Sequence, residues 1–426
     1  MITLLIIVGL ILLTLFGTPL FVIISGIALL LFHLAEIDSS AIIIELYRLT
    51  SQPIFLAIPL FTFAGYLLAE SNTPRRLVNL SRALIGWLPA GLAIVALVSS
   101  ALFTAFTGAS GVTIIALGGL LHPIMLREKY PEKFTLGLLT ASGNLGLLLP
   151  PSLPIILYGL VAQTPIDQLF AAGIVPSILM IVMLSIYIIL FRRKQLKELK
   201  IRKSTRQERW QALKESAWEI PLPFIIIGGI YGGLFTATEA AAVTAIYVFI
   251  IEVFIYRDIS LRRGLPVVVR KSMEMVGSII VILAAALGLA NYFTDAQIPM
   301  RILEAMKTFI DSPIVFLLFL NLFLLLVGAV MDIFSAIMVI VPIIIPIAAS
   351  FGIDPVHLGI IFLANLGIGY STPPVGMNLF IASLRFEKSI TFLYRAALPF
   401  LIILLIALAL ITYIPALSIG ILPLIM

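Results

Sequence analysis

The sequence predicts an all-α polytopic membrane protein of two inverted-topology repeats, each with a re-entrant helical hairpin and a broken helix. Three observations carry this. Of 426 residues, 61% are hydrophobic and 11% charged, with a mean hydropathy of +1.18, whereas soluble domains carry about 25% charged residues. Gly146-Leu-Leu-Leu-Pro150-Pro151 recurs as Gly369-Tyr-Ser-Thr-Pro373-Pro374 at an offset of 223, which also links Pro123 to Pro346 and Pro176 to Pro399. Lys and Arg then change sides between equivalent loops. Arg127, Lys129 and Lys133 precede the first Pro-Pro segment, while Ser350 to Val356 holds only Asp354; Gln163 to Gln168 has no Lys or Arg, while Arg385, Lys388 and Arg395 follow the second. Because Lys and Arg mark the cytoplasmic side, the two halves cross the membrane in opposite senses.

Along the chain, Met1-Ile-Thr-Leu-Leu-Ile-Ile-Val lacks the basic region and small-residue cleavage site of a secretory signal and reads as a retained first membrane segment. Residues 1–191 form the first repeat: scaffold helices, a hairpin at about 104–126 and a broken helix at 134–162. Ten of the 27 Lys and Arg fall between Arg192 and Lys214, against two acids, so 192–214 reads as a cytoplasmic basic loop and not as a nucleic-acid arm. Residues 215–426 form the second repeat, with a hairpin at about 328–350 and a broken helix at 357–384. Runs with at most one formal charge, Ala83 to Leu126, Phe134 to Gln163, Gln168 to Phe191, Ser312 to Ile353 and Ala396 to Met426, reach the roughly 20 residues that span a hydrocarbon core. Arg75, Arg76, Arg82, Arg257, Arg262, Arg263, Arg270 and Lys271 do not fit a simple inverted count, and some are assigned to surface-lying amphipathic helices.

Two kinds of segment carry chemistry. Thr140 to Ser152 is rich in Ser, Asn and Gly around Pro150-Pro151, and Leu363 to Asn378 repeats that character. Proline removes a donor and frees a carbonyl one turn earlier, and a membrane offers no water to satisfy it. Such carbonyls, with Ser, Thr or Asn oxygens, suit a hard cation such as sodium; the competing reading is a kinked helix satisfied by its neighbours. Thr104 to Thr113 reads as a hairpin tip against the alternative of helix-packing hydroxyls. Its counterpart runs from Gly328 to Ser335, where Asp332 is the only formal charge between Asp311 and Asp354 and marks a polar pathway or a hairpin cap. Glu239 in Thr236-Ala-Thr-Glu239 reads equally as a functional acid or a capping-box residue.

There is no Cys, and His33, His122 and His357 make no ligand spacing, so a disulfide framework is excluded and metal catalysis disfavoured. The absence of a G-x-x-x-x-G-K-[ST] loop disfavours a nucleotide-driven pump, and the absence of H-E-x-x-H disfavours an intramembrane hydrolase. No enzymatic activity and no cofactor are expected.

Several motifs in order, Gly17-Thr-Pro19, Leu149-Pro-Pro-Ser152, Phe235-Thr-Ala-Thr-Glu239-Ala, Gly328-Ala-Val-Met-Asp332 and Thr372-Pro-Pro-Val-Gly376-Met-Asn378-Leu-Phe, resemble the large membrane subunit (DctM-like) of a tripartite ATP-independent periplasmic (TRAP) transporter over essentially the whole chain. The resemblance implies an elevator-type transporter of the ion transporter superfamily in the bacterial cytoplasmic (inner) membrane. It implies sodium-coupled import of a small organic acid: a C4-dicarboxylate, sialic acid or similar carboxylate. A soluble periplasmic binding protein (DctP-like) delivers the substrate, and a small four-helix membrane subunit (DctQ-like) is expected as a separate polypeptide. Carried over by motif, Thr107, Gly108, Ser110, Ser142, Asn144, Gly146 and Pro150 make one sodium site; Asp332, Ser335, Asn365, Gly369, Thr372, Pro373 and Gly376 make the second. Ser110, Ser152, Thr372 and Asn378 would bind substrate. Ala109 departs from the family's usual Ser, which weakens a side-chain role there. A stand-alone sodium-dependent anion symporter of the same architecture is the alternative.

Overall fold

The computed structural model describes residues 20–36, 53–88, 90–192, 204–307 and 312–425, with isolated positions between them. The first membrane segment up to residue 19, the Gly17-Thr-Pro19 motif and residues 193–203 of the basic loop lie outside the described residues. Residues 206–215 of that basic stretch form a helix.

The first half runs α1 (Leu20–Leu34), α2 (Ala57–Glu70), α3 (Thr73–Ile85), α4 (Gly91–Thr107), α5 (Ser110–Arg127), α6 (Glu132–Ser142), α7 (Leu153–Ala162) and α8 (Ile166–Arg192). The second runs α9 (Arg206–Glu215), α10 (Pro221–Tyr231), α11 (Ala237–Ile255), α12 (Gly264–Asp295), α13 (Ile298–Lys307), α14 (Pro313–Val330), α15 (Ile333–Ser350), α16 (Pro355–Gly369), α17 (Met377–Phe386) and α18 (Ile390–Tyr413). Among the described residues seven helices are long and apolar enough to cross a membrane, or up to eight with the bent pair around residues 149–152 counted as one span. The offset of 223 survives in the elements: Ser110 opens α5 as Ile333 opens α15, and Glu132 opens α6 as Pro355 opens α16.

The two broken helices cross head to tail. Lys388, just past α17, pairs with Glu132 at the start of α6 (Nζ to Oε1, 2.9 Å). Tyr158, near the end of α7, donates its hydroxyl to Pro355 O at the start of α16 (3.2 Å). Start therefore meets end at both extremities, the antiparallel geometry of inverted repeats. The first broken helix and α16 sit deep in the molecule, every residue of α16 from Val356 to Gly369 being buried, whereas α17 buries only Asn378, Leu379 and Ala382.

Local rules set several boundaries. Thr236 and Glu239 form a reciprocal capping box that opens α11, so the backbone accounts for Glu239. α3 is amphipathic, but Arg76 lies on its buried side. Its guanidinium reaches Glu219 Oε1 (2.6 Å), Glu252 Oε2 (3.0 Å) and Asp258 Oδ2 (2.6 Å) and lies 3.9 Å over the Tyr256 ring. Burial opposes the Arg76 charge, yet Glu219, Glu252 and the bond to Asp258 hold its pKa above the ordinary arginine value. Burial raises the Glu219 carboxyl against the pull of Arg76 and Thr73. At Asp258 burial is outweighed by bonds from Asn72 and Arg76, which hold it below the usual carboxylate range. The cluster ties α3 to the helices that follow the basic segment.

Candidate functional site

Each break is a place where the chain leaves the helix between two helical segments. In the first, α6 ends at Ser142, Leu145 to Leu148 form a single 3-10 turn, Leu149 is extended and Ser152 precedes α7. In the second, α16 ends at Gly369 and the chain passes through Tyr370 to Gly376 before α17. The Pro150–Pro151 and Pro373–Pro374 bonds are cis. Burial differs between the two: Pro150 and Pro151 are buried, whereas Pro373 and Pro374 are exposed.

The hairpin turns arise from different local chemistry. α4 closes at Gly108, whose left-handed φ of 66° admits a bond from its N–H to Thr104 O (2.8 Å), and Ala109 is extended before Ser110 opens α5. A Cβ on Gly108 would lie 2.7 Å from Leu153 Cβ at the start of α7, so this tip is seated on the first broken helix. The second tip is capped by a carboxylate. Asp332 Oδ1 accepts from Phe334 N (3.0 Å) and Ser335 N (2.9 Å), and its Oδ2 accepts from the Ser335 hydroxyl. Asp332 is thus the N-cap of α15, one of the two readings open at the sequence level. The Tyr370 hydroxyl accepts from Ile333 N, and Gly376 N donates to Ala329 O (2.9 Å), fastening this tip to the second break.

A chain of side-chain bonds joins the two halves at their breaks. Ser110 Oγ donates to Asn378 Oδ1 (2.8 Å), Asn378 Nδ2 to Asn144 Oδ1 (2.6 Å), and Asn144 Nδ2 to Ser371 Oγ (2.9 Å). Ser110, Asn144 and Asn378 therefore meet, and the first tip is held by a residue of the second repeat. Beside them, a void with room for one water-sized species is lined by Asn144, Gly367 and apolar side chains.

Other candidate residues lie elsewhere. Thr107 and Thr372 bond back to their own helices, at Phe103 O (3.0 Å) and Ile368 O (3.0 Å), and Ser142 bonds to Leu139 O (3.3 Å). Gly146 faces α4, where a Cβ would stand 2.1 Å from Ala101 O, and Gly369 lies against Gly328 at a Cβ distance of 2.7 Å, so both serve close packing. Asn365 is separated from Asp332 in its bonding: its Nδ2 donates to Asn321 Oδ1 (2.6 Å) and Ile361 O (2.8 Å), and Asn321 Nδ2 continues to Thr412 Oγ1 (3.1 Å). Asn321, Ser371, Tyr370 and Thr412 are participants that pattern reading missed. An Asn inside the apolar run of α14 was the available signal, because a buried amide in a membrane needs a partner.

Among the described residues six buried side-chain atoms have no partner, Ser99 Oγ, His122 Nε2, Thr135 Oγ1, Ser152 Oγ, Glu219 Oε2 and Asn365 Oδ1; of these Ser152 Oγ and Asn365 Oδ1 belong to the candidate residues, and both residues are fully buried. A buried unpaired oxygen is costly. A hard cation ligated by hydroxyl, amide and carbonyl oxygens would satisfy such atoms, so the residues present fit a sodium ion.

Antiparallel broken helices bonded at their breaks, with a hairpin tip fastened to each, define the membrane domain of a multi-pass transporter. The comparisons agree with that class. The sequence model of the tripartite ATP-independent periplasmic transporter DctM component matches residues 7–417, and the chain belongs to this family of TRAP large permease subunits. It is 38% identical over 399 residues to the C4-dicarboxylate TRAP transporter large permease protein DctM of Pseudomonas aeruginosa, covering 93% of this chain and 92% of that one. It is 34% identical over 365 residues to the sialic acid TRAP transporter large permease protein SiaM of Vibrio cholerae, covering 84% of each. The isethionate TRAP transporter permease protein DctMQ of Oleidesulfovibrio alaskensis matches at 36% identity over 361 residues, 85% of this chain and 57% of that longer protein. Among solved structures, the YdaH transporter of Alcanivorax borkumensis superposes with a TM-score of 0.57 at 14% identity, covering 87% and 85% of the two chains, a likeness of fold.

Proposed function

We propose that this chain is the large permease subunit of a sodium-coupled TRAP transporter in a bacterial inner membrane, importing a small carboxylate by an elevator movement. The observation that carries the reading is that two of the buried, unpartnered oxygens, Ser152 Oγ and Asn365 Oδ1, fall on candidate residues, one in each repeat beside or within a broken helix. Sodium at these oxygens would neutralise their cost and draw each broken helix toward its hairpin tip, coupling ion occupancy to the shape of the site. Thr107, Gly108, Ser110, Ser142, Asn144, Gly146 and Pro150 are the candidates around the first ion by motif, and the unpartnered Ser152 hydroxyl joins them. Asp332, Ser335, Asn365, Gly369, Thr372, Pro373 and Gly376 are those around the second. Substrate would lie between the tips, where Ser110, Ser152, Thr372 and Asn378 are the candidates. Asn378 already uses its oxygen and one N–H within the protein, which leaves one amide hydrogen for a carboxylate.

A binding protein that delivers substrate and a small membrane subunit complete the assembly in this reading. The names of the relatives support it: they include C4-dicarboxylate, sialic acid and isethionate transporters, and one is a DctMQ permease. The test is uptake into proteoliposomes holding this chain with its small subunit, with and without the binding protein, under an imposed sodium gradient. Uptake requiring both sodium and the binding protein is expected. Sodium-driven uptake by this chain alone would make it a stand-alone symporter.

A further inference from the structure

All three tryptophans of the chain, Trp87, Trp210 and Trp218, are exposed, and all three border the same pair of helices. α3 and α9 lie side by side and antiparallel: Ser216 Oγ, just past α9, reaches Arg76 O (3.4 Å), and Ser204 Oγ, just before it, reaches Arg82 O (3.5 Å). Ala212 is the buried residue of α9. Trp87 follows the end of α3, Trp210 projects from α9 and Trp218 follows α9, so the aromatic residues ring a two-helix ledge.

The ledge is strongly basic. Arg75 and Arg82 form one exposed stripe of α3, two turns apart, and Arg206, Arg209 and Lys214 are exposed along α9. Among the described residues none of these five forms an ion pair. Glu208 is engaged in the cap of α9 through Thr205 N (2.8 Å), and Glu215 accepts from Gln211 (3.1 Å). Arg76, the one α3 arginine with carboxylate partners, points the other way into its buried cluster. Unpaired cations on one face, edged by exposed indoles, match a headgroup layer, where tryptophan sits at the interface and arginine meets phosphate.

We propose that the α3–α9 ledge binds the phosphodiester headgroups of anionic phospholipids at the membrane face that carries the basic segment. The arginines are spread along two adjacent antiparallel helices and do not converge on one point, as a row of lipids requires and a single soluble anion does not. A protein partner is disfavoured because α9 offers Trp210 as its only exposed large apolar side chain, whereas the centre of a protein interface is depleted in charge and rich in apolar anchors.

Because no tryptophan lies outside the ledge, tryptophan fluorescence excited where tyrosine does not absorb reports on it alone. The full chain is placed in nanodiscs of phosphatidylcholine containing increasing fractions of brominated phosphatidylglycerol or, separately, brominated phosphatidylcholine. The expected result is stronger quenching by the anionic lipid at equal mole fraction, weakened by salt. R206Q and R209Q, on a solvated helix, should each reduce the anionic preference about fivefold, R75Q/R82Q/R206Q/R209Q should abolish it, and the corresponding four lysine substitutions should retain it. Equal quenching by the two lipids in the natural protein overturns the proposal. So does an anionic preference that persists in the folded glutamine variants.

Discussion

Asn378 of the second repeat donates to Asn144 of the first across 2.6 Å, at the place where both broken helices leave their helical path. Each asparagine also bonds a serine, Ser110 and Ser371 respectively, so a single deletion breaks two contacts. Asn144→Ala and Asn378→Ala should each lower stability by about 1–2 kcal/mol. The double variant should lose less than the sum, because the two share a bond. Thermal unfolding of the detergent-solubilised protein measures this, and strict additivity would contradict the linkage.

Arg76 offers a larger effect. Replacing it with Met leaves Glu219, Glu252 and Asp258 facing one another without a counter-charge, and such a loss costs about 3–5 kcal/mol. Adding Glu252→Gln should recover part of that loss. No recovery would mean that the carboxylates do not repel one another.

Glu219 gives the cluster a pH dependence of definite sign. Its folded-state pKa lies above the ordinary value because of burial, so the folded protein binds this proton more tightly than the unfolded chain does. The associated stability is complete below the ordinary glutamate range and is lost as pH rises through the raised value. Melting temperature should therefore decline across that window in the natural protein and decline less in Glu219→Gln. Asp258, held below its ordinary value, acts oppositely, and its contribution disappears as pH falls through the depressed value.

Ser152 and Asn365 separate a ligand role from a merely structural one. Ser152→Ala removes a buried hydroxyl that has no partner, so stability without sodium should be unchanged or slightly raised. The sodium concentration for half-maximal uptake should rise about tenfold or more, as for loss of a direct ligand. The same kinetic change is expected for Asn365→Ala, with a loss of stability from its bonds to Asn321 and Ile361. Unaltered sodium dependence in both variants would remove these oxygens from the ion site.

Gly108 tests the first tip. Alanine there adds a Cβ 2.7 Å from Leu153 Cβ at a φ of 66°, a strain of about 1–2 kcal/mol from the backbone alone. Uptake should fall more steeply in Gly108→Ala than in Gly111→Ala, where a Cβ meets only the flexible end of Ile381. Equal rates in the two variants would argue against tight seating of the tip.

Much of this architecture could be read from the chain because repetition is local in sequence. The two Pro-Pro segments announce both breaks and their common offset, and the Lys/Arg bias gives their opposed directions. The Asp332-Ile-Phe-Ser335 pattern was legible as a helix cap but competed with the rarity of a charge in an apolar run. Arg76 was not legible, since its carboxylate partners lie 143, 176 and 182 residues away and only the fold assembles them. The resemblance groups Asn365 with Asp332 by motif. The helix instead turns its side chain toward Asn321, a partner that no spacing rule supplies.

The unequal burial of the two Pro-Pro breaks means that duplication repeated the grammar of the chain and not its surroundings. The same dipeptide is packing material in one half and surface in the other, so matched substitutions at the two positions meet different neighbours and need not have equal effects.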